Sequence, residues 1–384
     1  MEAEPTMIPR PDMKIIDRYV FGSLLVTFLL AVSVLTVVLV LGNIFRQLVN
    51  RDAPIEYILT FIAYILPFSL TFTVPWGFLT AVLLVFGKMS AENELIALRA
   101  TGVSIPRVSV IVFFSAMTCV GVCLWINVQV APKAQAQMKD ALYNIATKNP
   151  LSLFRSDKII DEFPGQKIYI ERNEGAKLYN LLIYQLDKNE QPVKVIAAHN
   201  GWLEPDLEHE QLLLHVYDGR YEQRDDHEPE DLSKIRQGIT MEESTLPISL
   251  RELYEKSKKR RGFPLMSIPE ILKRVKDQDP NKTPKERAME RSAGLTEVNK
   301  RFSYALASFA FALIGIPLAI TAHRRETSIG FLMSMIVAFV YFMFILVADS
   351  MRNNAAVHPH LLIWTPNILF IGIGSVLFFR LSRR

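Results

Sequence analysis

The residues that could do chemistry in this sequence are few, and their spacing fits no catalytic site. His209-Glu210 is followed by His215, two positions later than the second histidine of a zinc-binding HExxH helix, and the local pattern is that of a strand. Gly87-Lys88-Met89 lacks the leading glycine and the Ser or Thr of a phosphate-binding loop. We therefore expect no metal site, no cofactor and no nucleotide hydrolysis, so the chain is predicted not to be an enzyme.

The two cysteines, Cys119 and Cys123, lie four residues apart within an apolar run. This spacing places both thiols on one helix face, where a redox or metal pair is conceivable. Such a pair needs further ligands, and a helix face in lipid offers none. We therefore interpret them as two small buried side chains.

Charged residues are distributed unevenly along the chain. Residues 132–301 hold 29 of the 43 Lys and Arg and 29 of the 39 Asp and Glu, so this stretch is neutral. The net charge of +4 belongs to the rest of the chain, where Lys and Arg stand at the ends of apolar runs. This pattern is typical of a membrane protein and not of a nucleic-acid-binding surface.

Six apolar runs free of charged residues are long enough to span a bilayer, which takes about 20 residues. They predict transmembrane helices at 19–45, 57–87, 108–131, 302–322, 328–348 and 361–379. Pro67 and Pro75 in the second run predict a tilted or kinked helix. The tail before the first run is polar and lacks the features of a cleavable signal, so the first run is expected to remain a span.

Lys and Arg in the short connections predict the orientation of these spans. Eleven basic residues lie on the side of the two termini and three on the other side, and the richer side is the cytoplasmic one. We therefore expect the tail 1–18 and the C-terminus in the cytoplasm. Residues 19–131 contain three spans, which place residues 132–301 in the periplasm of a Gram-negative cell. Residues 302–384 contain the other three spans, which return the chain to the cytoplasm.

Within the insert, alternating apolar and polar residues predict strands at 167–171, 182–184, 193–196 and 212–217. Asp218-Gly219 is typical of a hairpin turn. Several short strands at close spacing favour a sandwich or a jelly-roll-like pair of sheets. The fold class is therefore an α-helical polytopic membrane protein with an inserted all-β, jelly-roll-like periplasmic domain.

Helices are predicted at the end of the insert. Ser267 can cap the first of them. Thr283-Pro284-Lys285-Glu286 is a capping box with proline at the first helical position. We expect this second helix to run unbroken into the fourth span.

Residues 90–103, between the second and third spans, are predicted to form a short cytoplasmic helix. The pattern combines a capping serine, acidic residues in the first turn, apolar contact residues, a basic residue in the last turn and a terminating glycine. These residues are Ser90, Glu92, Glu94, Leu95, Ile96, Leu98, Arg99 and Gly102. Such a helix can lie in the interface as a tether, or it can dock on a cytoplasmic partner and transmit its motion.

The run 87–102, GKMSAENELIALRATG, resembles the signature of the LptF/LptG permease family, the transmembrane subunits of the lipopolysaccharide exporter. Asp17-Arg18-Tyr19 at the first span, the β insert, and Glu297-Val298-Asn299-Lys300-Arg301 before a span containing Pro317 are also similar. The resemblance covers nearly the whole chain from Met13 onward. Glu92 is closer to F-type subunits and Asp17-Arg18-Tyr19 to G-type subunits, so both types stay open.

The resemblance implies an ABC-type exporter with several components. Two related permeases pair with a dimer of a cytoplasmic ATPase, and helix 90–103, with Glu94 flanked by Glu92 and Arg99, is the coupling helix in the ATPase groove. Lipopolysaccharide is taken from the inner membrane into a cavity between the permeases. It then passes along the jelly roll to a periplasmic bridge of the LptC/LptA type.

Cations at the outer rim of such a cavity would contact the phosphates of the lipid. Arg46 and Arg51 at the outer end of the first span fit this rim, whereas ordinary interfacial snorkelling is the alternative. The basic run 256–261 is interpreted as a solvated loop, with glycolipid contact as the alternative. Asp349 and Arg352 are predicted to form a local ion pair.

Two other functions stay open from the residues alone. An ion-coupled secondary lipid transporter would need ionisable groups near the middle of the bilayer, and the six runs contain none. A membrane-tethered periplasmic enzyme would need an acid–base or metal constellation within 132–301, and no spacing there demands one.

Overall fold

The computed structural model describes the main part of the chain. Described are residues 13–47, 55–148, 154, 156–160, 163, 165–187, 191–206, 211–223, 237–249, 262–277, 282–321 and 327–383. The described residues form two compact units, one of helices and one, within 138–262, of strands.

The helical unit contains the apolar segments. The described helices are α1 (Met13–Gln47), α2 (Ile55–Ala91), α3 (Glu94–Ala100), α4 (Ile105–Trp125), α5 (Ala131–Lys148), α6 (Ile268–Lys276), α7 (Pro284–Thr321), α8 (Thr327–Ser350), α9 (Pro359–Leu362) and α10 (Thr365–Arg383). All but the part of α5 after residue 137 belong to the helical unit. A π-helical segment, Ile126–Val130, joins α4 to α5. Six helical segments in the described chain are long and apolar enough to cross a membrane, which confirms the six predicted spans.

The centre of the helical unit is α7, which packs against α2, α4 and α10. Small residues bring these helices close together. At Gly374 of α10, an added Cβ would lie 2.9 Å from backbone atoms of Leu313 and Ile314 in α7. At Gly315 of α7, it would lie 3.1 Å from the side chain of Val82 in α2. These glycines therefore fix how closely the central helices pack.

A buried hydrogen-bond network joins α7, α8 and α10. The Asn367 amide donates to the Ser303 carbonyl at 3.1 Å and to the Ser303 hydroxyl oxygen at 2.8 Å. The Tyr341 hydroxyl lies 3.2 Å from the same carbonyl. Because lipid offers no alternative partner, such groups must be satisfied between helices.

The helix starts that the sequence predicted after the strands are confirmed. Glu270 accepts from the backbone N–H of Ser267 at 2.7 Å, ahead of α6. Glu286 accepts from the N–H of Thr283 at 2.8 Å, and the Thr283 hydroxyl accepts from the N–H of Glu286 at 3.3 Å. As expected, α7 runs without a break from this capping box to Thr321.

The other unit is a six-stranded antiparallel sheet whose strands follow in chain order. The strands are β1 (Lys158–Ile160), β2 (Gln166–Glu174), β3 (Lys177–Leu186), β4 (Pro192–Asp206), β5 (Gln211–Gln223) and β6 (Gln237–Ser249). The predicted strands all fall within β2 to β5, so the all-β insert is confirmed. All described strands belong to this one meander, and a second, facing sheet is not among them.

The predicted hairpin at Asp218-Gly219 is wrong. Asp218 has the positive φ of 51° typical of a turn, yet it lies inside β5. Tyr217 pairs with Asn200 and Gly219 with Ala198, so the ladder to β4 continues in register across this point. Pairing with β4 and β6 on either side keeps the strand extended, and Asp tolerates the left-handed conformation.

Candidate functional site

The connection between α2 and α4, residues 92–104, contains the short helix that the sequence predicted between the second and third spans. This helix is shorter than the expected 90–103, because Ser90 and Ala91 still belong to α2. The cap is Asn93, in the left-handed conformation with φ 59°. The Ser90 hydroxyl instead donates to the carbonyl of Ile320 in α7 at 3.3 Å.

One face of α3 packs on its own helical unit and the other is open. Leu95 is buried, with 4% of its surface exposed, and Leu98 packs against the same apolar core. Ile96 is 58% exposed, and Arg99 is also exposed. Because Leu95 is anchored in the core, the neighbouring Ile96 points outward. An exposed apolar side chain in this position is available to a partner protein.

The end of α3 is a glycine stop, as predicted. Gly102 has a φ of 86°, and its N–H donates to the carbonyl of Arg99 at 3.0 Å. The N–H of Val103 donates to the carbonyl of Leu98, also at 3.0 Å. These bonds satisfy carbonyls at the helix end and redirect the chain into α4.

The predicted acidic residues of the connection have different partners. Glu94 accepts hydrogen bonds from the Tyr19 hydroxyl of α1, with distances of 3.0 and 3.1 Å to its two carboxylate oxygens. Glu92 lies 3.9 Å from Lys88, one turn earlier, and both side chains are more than half exposed. Glu94 therefore joins α3 to α1, while Glu92 remains at the surface.

A second contact fastens α1 to the start of α4. Arg107 forms two parallel hydrogen bonds with the Asp17 carboxylate, of 3.0 and 2.8 Å. About one third of each side chain is exposed, and this fork geometry is the strongest form of such a pair. In the sequence, Asp17 and Tyr19 stand out only as part of a family resemblance, because nothing local signals partners 90 and 75 residues away.

The predicted phosphate rim falls largely outside the described residues. Arg46 lies in the last turn of α1, but its side chain and the whole of Arg51 are outside the description. The basic run 256–261 is outside it as well. The rim therefore stays a prediction.

Asp349 has a different partner from the predicted one. Its carboxylate lies 3.3 Å from Lys300 of α7, which also contacts Glu297 at 2.7 Å. Arg301 pairs with Glu297 at 3.2 Å and donates to the Met266 carbonyl at 2.8 Å. This cluster holds the segment before α6 and the end of α8 against α7, which is a structural role.

Cys119 and Cys123 are buried in the core of the helical unit, as predicted. Within the described ranges, no three His, Cys, Asp or Glu residues are grouped so as to hold a metal ion. His215 contacts Glu204 at 3.2 Å and Thr245 at 3.0 Å, as part of a polar row on the sheet.

Six apolar helices, a strand insert after the third, and a short helix anchored between the second and third define a polytopic membrane protein. A family profile described as the lipopolysaccharide export system permease LptF/LptG matches residues 18–380. The chain therefore belongs to the LptF/LptG family.

Named relatives agree with this assignment. The lipopolysaccharide export system permease proteins LptF of Escherichia coli K12 and of Shigella flexneri are each 20% identical to the chain over 385 aligned positions. In both cases the match covers 94% of this chain and 94% of the relative. The chain is thus a multi-pass inner-membrane permease of the lipopolysaccharide export family.

Proposed function

We propose that the chain is the transmembrane permease subunit of an ABC-type exporter, which extracts lipopolysaccharide from the inner membrane and passes it to a periplasmic bridge. A separate cytoplasmic ATPase dimer supplies the ATP hydrolysis. The observation that carries this proposal is the two-sided α3, whose Leu95 is anchored in the helical unit while Ile96 faces outward. Family membership supports the substrate class.

In this proposal α3 is the coupling helix. The ATPase contacts its open face, with Glu92, Glu94, Ile96 and Arg99 at the contact. A displacement of α3 is transmitted to α2 through the Glu92-Asn93 turn and to α4 through the segment that contains Gly102. Rigid helices then carry the displacement into the membrane.

The same displacement also reaches α1. Tyr19 is hydrogen-bonded to Glu94 at the start of α3, and Asp17 is hydrogen-bonded to Arg107 at the start of α4. The first turns of α1 are thereby tied to both ends of the connection. We therefore extend the coupling unit beyond residues 90–103 to include Asp17, Tyr19 and Arg107.

The remaining partners follow from the proposed orientation. The side of the membrane with more Lys and Arg is the cytoplasmic one, so α3 and both termini lie in the cytoplasm. The strands lie in the periplasm. A second permease of the LptF/LptG type completes the lipid cavity, with Arg46 and Arg51 at its outer rim. An LptC/LptA-type protein receives the lipid from the β unit.

Copurification tests the ATPase contact. The chain is extracted with its partners from the host membrane in mild detergent, and the ATPase subunit is quantified. Ile96→Asp places a charge on the open face of α3, where it opposes an apolar contact, and we expect about a tenfold loss of bound ATPase. Glu94→Lys should act in the same direction, since it reverses the charge beside that face.

Tyr19→Phe is the control for Glu94→Lys. It removes the intramolecular hydrogen bond of Glu94 without changing charge, so the ATPase should remain bound. Full retention of the ATPase by Ile96→Asp would show that the partner does not dock on this face. Absence of any ATPase from the wild-type extract would favour the secondary transporter or the tethered enzyme.

A further inference from the structure

The third span continues into α5 through a segment with a different hydrogen-bond register. The α-helical part of α4 ends at Trp125, residues 126–130 are π-helical, and α5 begins at Ala131. The N–H of Ala131 donates to the carbonyl of Ile126, five residues earlier. Such π turns are rare inside α-helices and are frequent at functional sites. This local departure from the α-helix therefore calls for a physical reason.

Pro132, the second residue of α5, favours the π register. In an α-helix a proline ring clashes with the carbonyl four residues earlier, here that of Val128, and leaves this carbonyl without a donor. A wider turn ahead of the proline relieves the clash. The α register is nevertheless accessible, because Pro67 and Pro317 lie inside regular α-helices of the same unit.

Asn127, within the π segment, favours the α register. The residue is only 4% exposed, and its side-chain amide nitrogen has no hydrogen-bond partner among the described residues. Inside an α-helix an asparagine can donate to the carbonyl four residues earlier, as Asn43 does to Leu39 at 2.9 Å. In the α register the same bond is open to Asn127, with the carbonyl of Cys123 as the acceptor.

Each register therefore satisfies one of these residues and not the other. The π register relieves Pro132 but leaves a buried donor of Asn127 unpaired. The α register pairs that donor but brings the proline ring against a carbonyl. The free-energy costs of a buried unpaired donor and of a proline within a helix are of the same order. Two arrangements with similar free energies form a bistable element, whose populations a small force can shift.

The surroundings place this element between a held and a less constrained part of the helix. Helix α4 packs against α7, and residues 126–130 contact both α2 and α7. From Gln135 to Ala141, the residues of α5 are half-buried or exposed. At its other end, α4 is attached to α1 through Arg107 and Asp17. A displacement of α4 therefore reaches α5 through the π segment.

We propose that residues 126–130 are a hinge that alternates between the π and α registers, and that movement of α4 in the transport cycle drives the change. This inference rests on the proposed function, in which α3 moves α4. When one more residue enters the α register, α5 turns by about 100° relative to α4 and extends by about 1.5 Å. The turn carries Ala134, which is 6% exposed in the π register, out of its buried position.

The labelling rate of an introduced thiol, Ala134→Cys, measures the hinge in the full chain, purified with its natural partners and reconstituted in lipid. Pro132→Ala removes the proline clash from the α register, so it should raise the rate about tenfold. Asn127→Leu removes the unpaired donor from the π register, so it should lower the rate. Cys119 and Cys123 are buried, and their continued protection shows that a variant remains folded.

Two variants make the same exchanges elsewhere in the helical unit. Pro67→Ala and Asn43→Leu should label at the wild-type rate. A wild-type rate in Pro132→Ala would overturn the hinge. Faster labelling in both Pro132→Ala and Asn127→Leu would also overturn it, because a helix that is merely loosened responds to both exchanges in the same direction.

A second arm tests what drives the hinge. ATP added to the reconstituted complex should raise the labelling rate of Ala134→Cys. If the ATPase copurifies and ATP leaves the rate unchanged, α4 does not drive the hinge, and the inference is wrong while the exporter proposal stands. Absence of an ATPase from the extract would contradict the exporter proposal, whereas opposite responses of the two hinge variants would still support the change of register.

Discussion

The helices α1 and α7 are similar in length, 35 and 38 residues, but they are held in the protein in different ways. In the most apolar stretch of α7, 67% of the residues are buried, against 22% in that of α1. Buried alanines and glycines pack α7 against three neighbours. Contacts at intervals attach α1: polar contacts near its first turns, the ring contact of Phe28 with Phe78, and the hydrogen bond between the Thr36 and Thr73 hydroxyls at 2.9 Å.

This difference indicates a division of roles. Close packing along a whole helix resists displacement, because any shift opens voids or creates overlaps. A helix held at separate points can tilt about them, and the rest of its apolar surface faces lipid or another membrane helix. We therefore regard α7 as the fixed frame and α1 as an element that moves with α3.

The largest effect on stability is expected from disturbing the packing of α7. Gly374→Ala places a methyl group 2.9 Å from the backbone of α7, so α10 must move away. We expect a loss of about 1–3 kcal/mol in the free energy of unfolding, measured by chemical denaturation in detergent micelles. Gly372→Ala, on the same helix with nothing within 4 Å, should change it by less than about 0.5 kcal/mol.

A smaller effect is expected at the polar attachment of α1. Asp17→Arg and Arg107→Asp each place like charges together, whereas the double exchange restores an opposite pair. In a reconstituted transport assay the single variants should lose most activity and the double variant should recover part of it, with a coupling energy of about 1–2 kcal/mol. Additive losses in the double variant would mean that the pair does not position α1.

The smallest effect on stability is expected at the crossing of α1 and α2. Gly77→Ala brings a methyl group within 2.6 Å of Val32, but only 22% of the most apolar stretch of α1 is buried, so α1 can shift more easily than α7. The free energy of unfolding should therefore fall by less than about 1 kcal/mol, while cysteine cross-linking between α1 and α2 changes its pattern. Val32→Ala should restore the pattern. A loss as large as that of Gly374→Ala would remove the distinction between the two helices.

The sequence by itself determined the elements whose signals are local. Six charge-free runs predicted the spans because the bilayer requires about 20 apolar residues in succession. Ser267 as a cap and the capping box at Thr283 predicted two helix starts, because such signals lie next to the helix that they begin. Alternating residues likewise predicted the strands from β2 to β5.

Only the tertiary structure decided which distant residues meet. The hydrogen bonds of Tyr19 to Glu94 and of Asp17 to Arg107 join residues that are 75 and 90 positions apart in sequence. Asp349 pairs with Lys300 instead of the predicted Arg352. A cavity beside α1 is lined by residues of four helices that are far apart in sequence. Such contacts depend on how whole helices pack, and a residue's immediate neighbours in sequence carry no information about that.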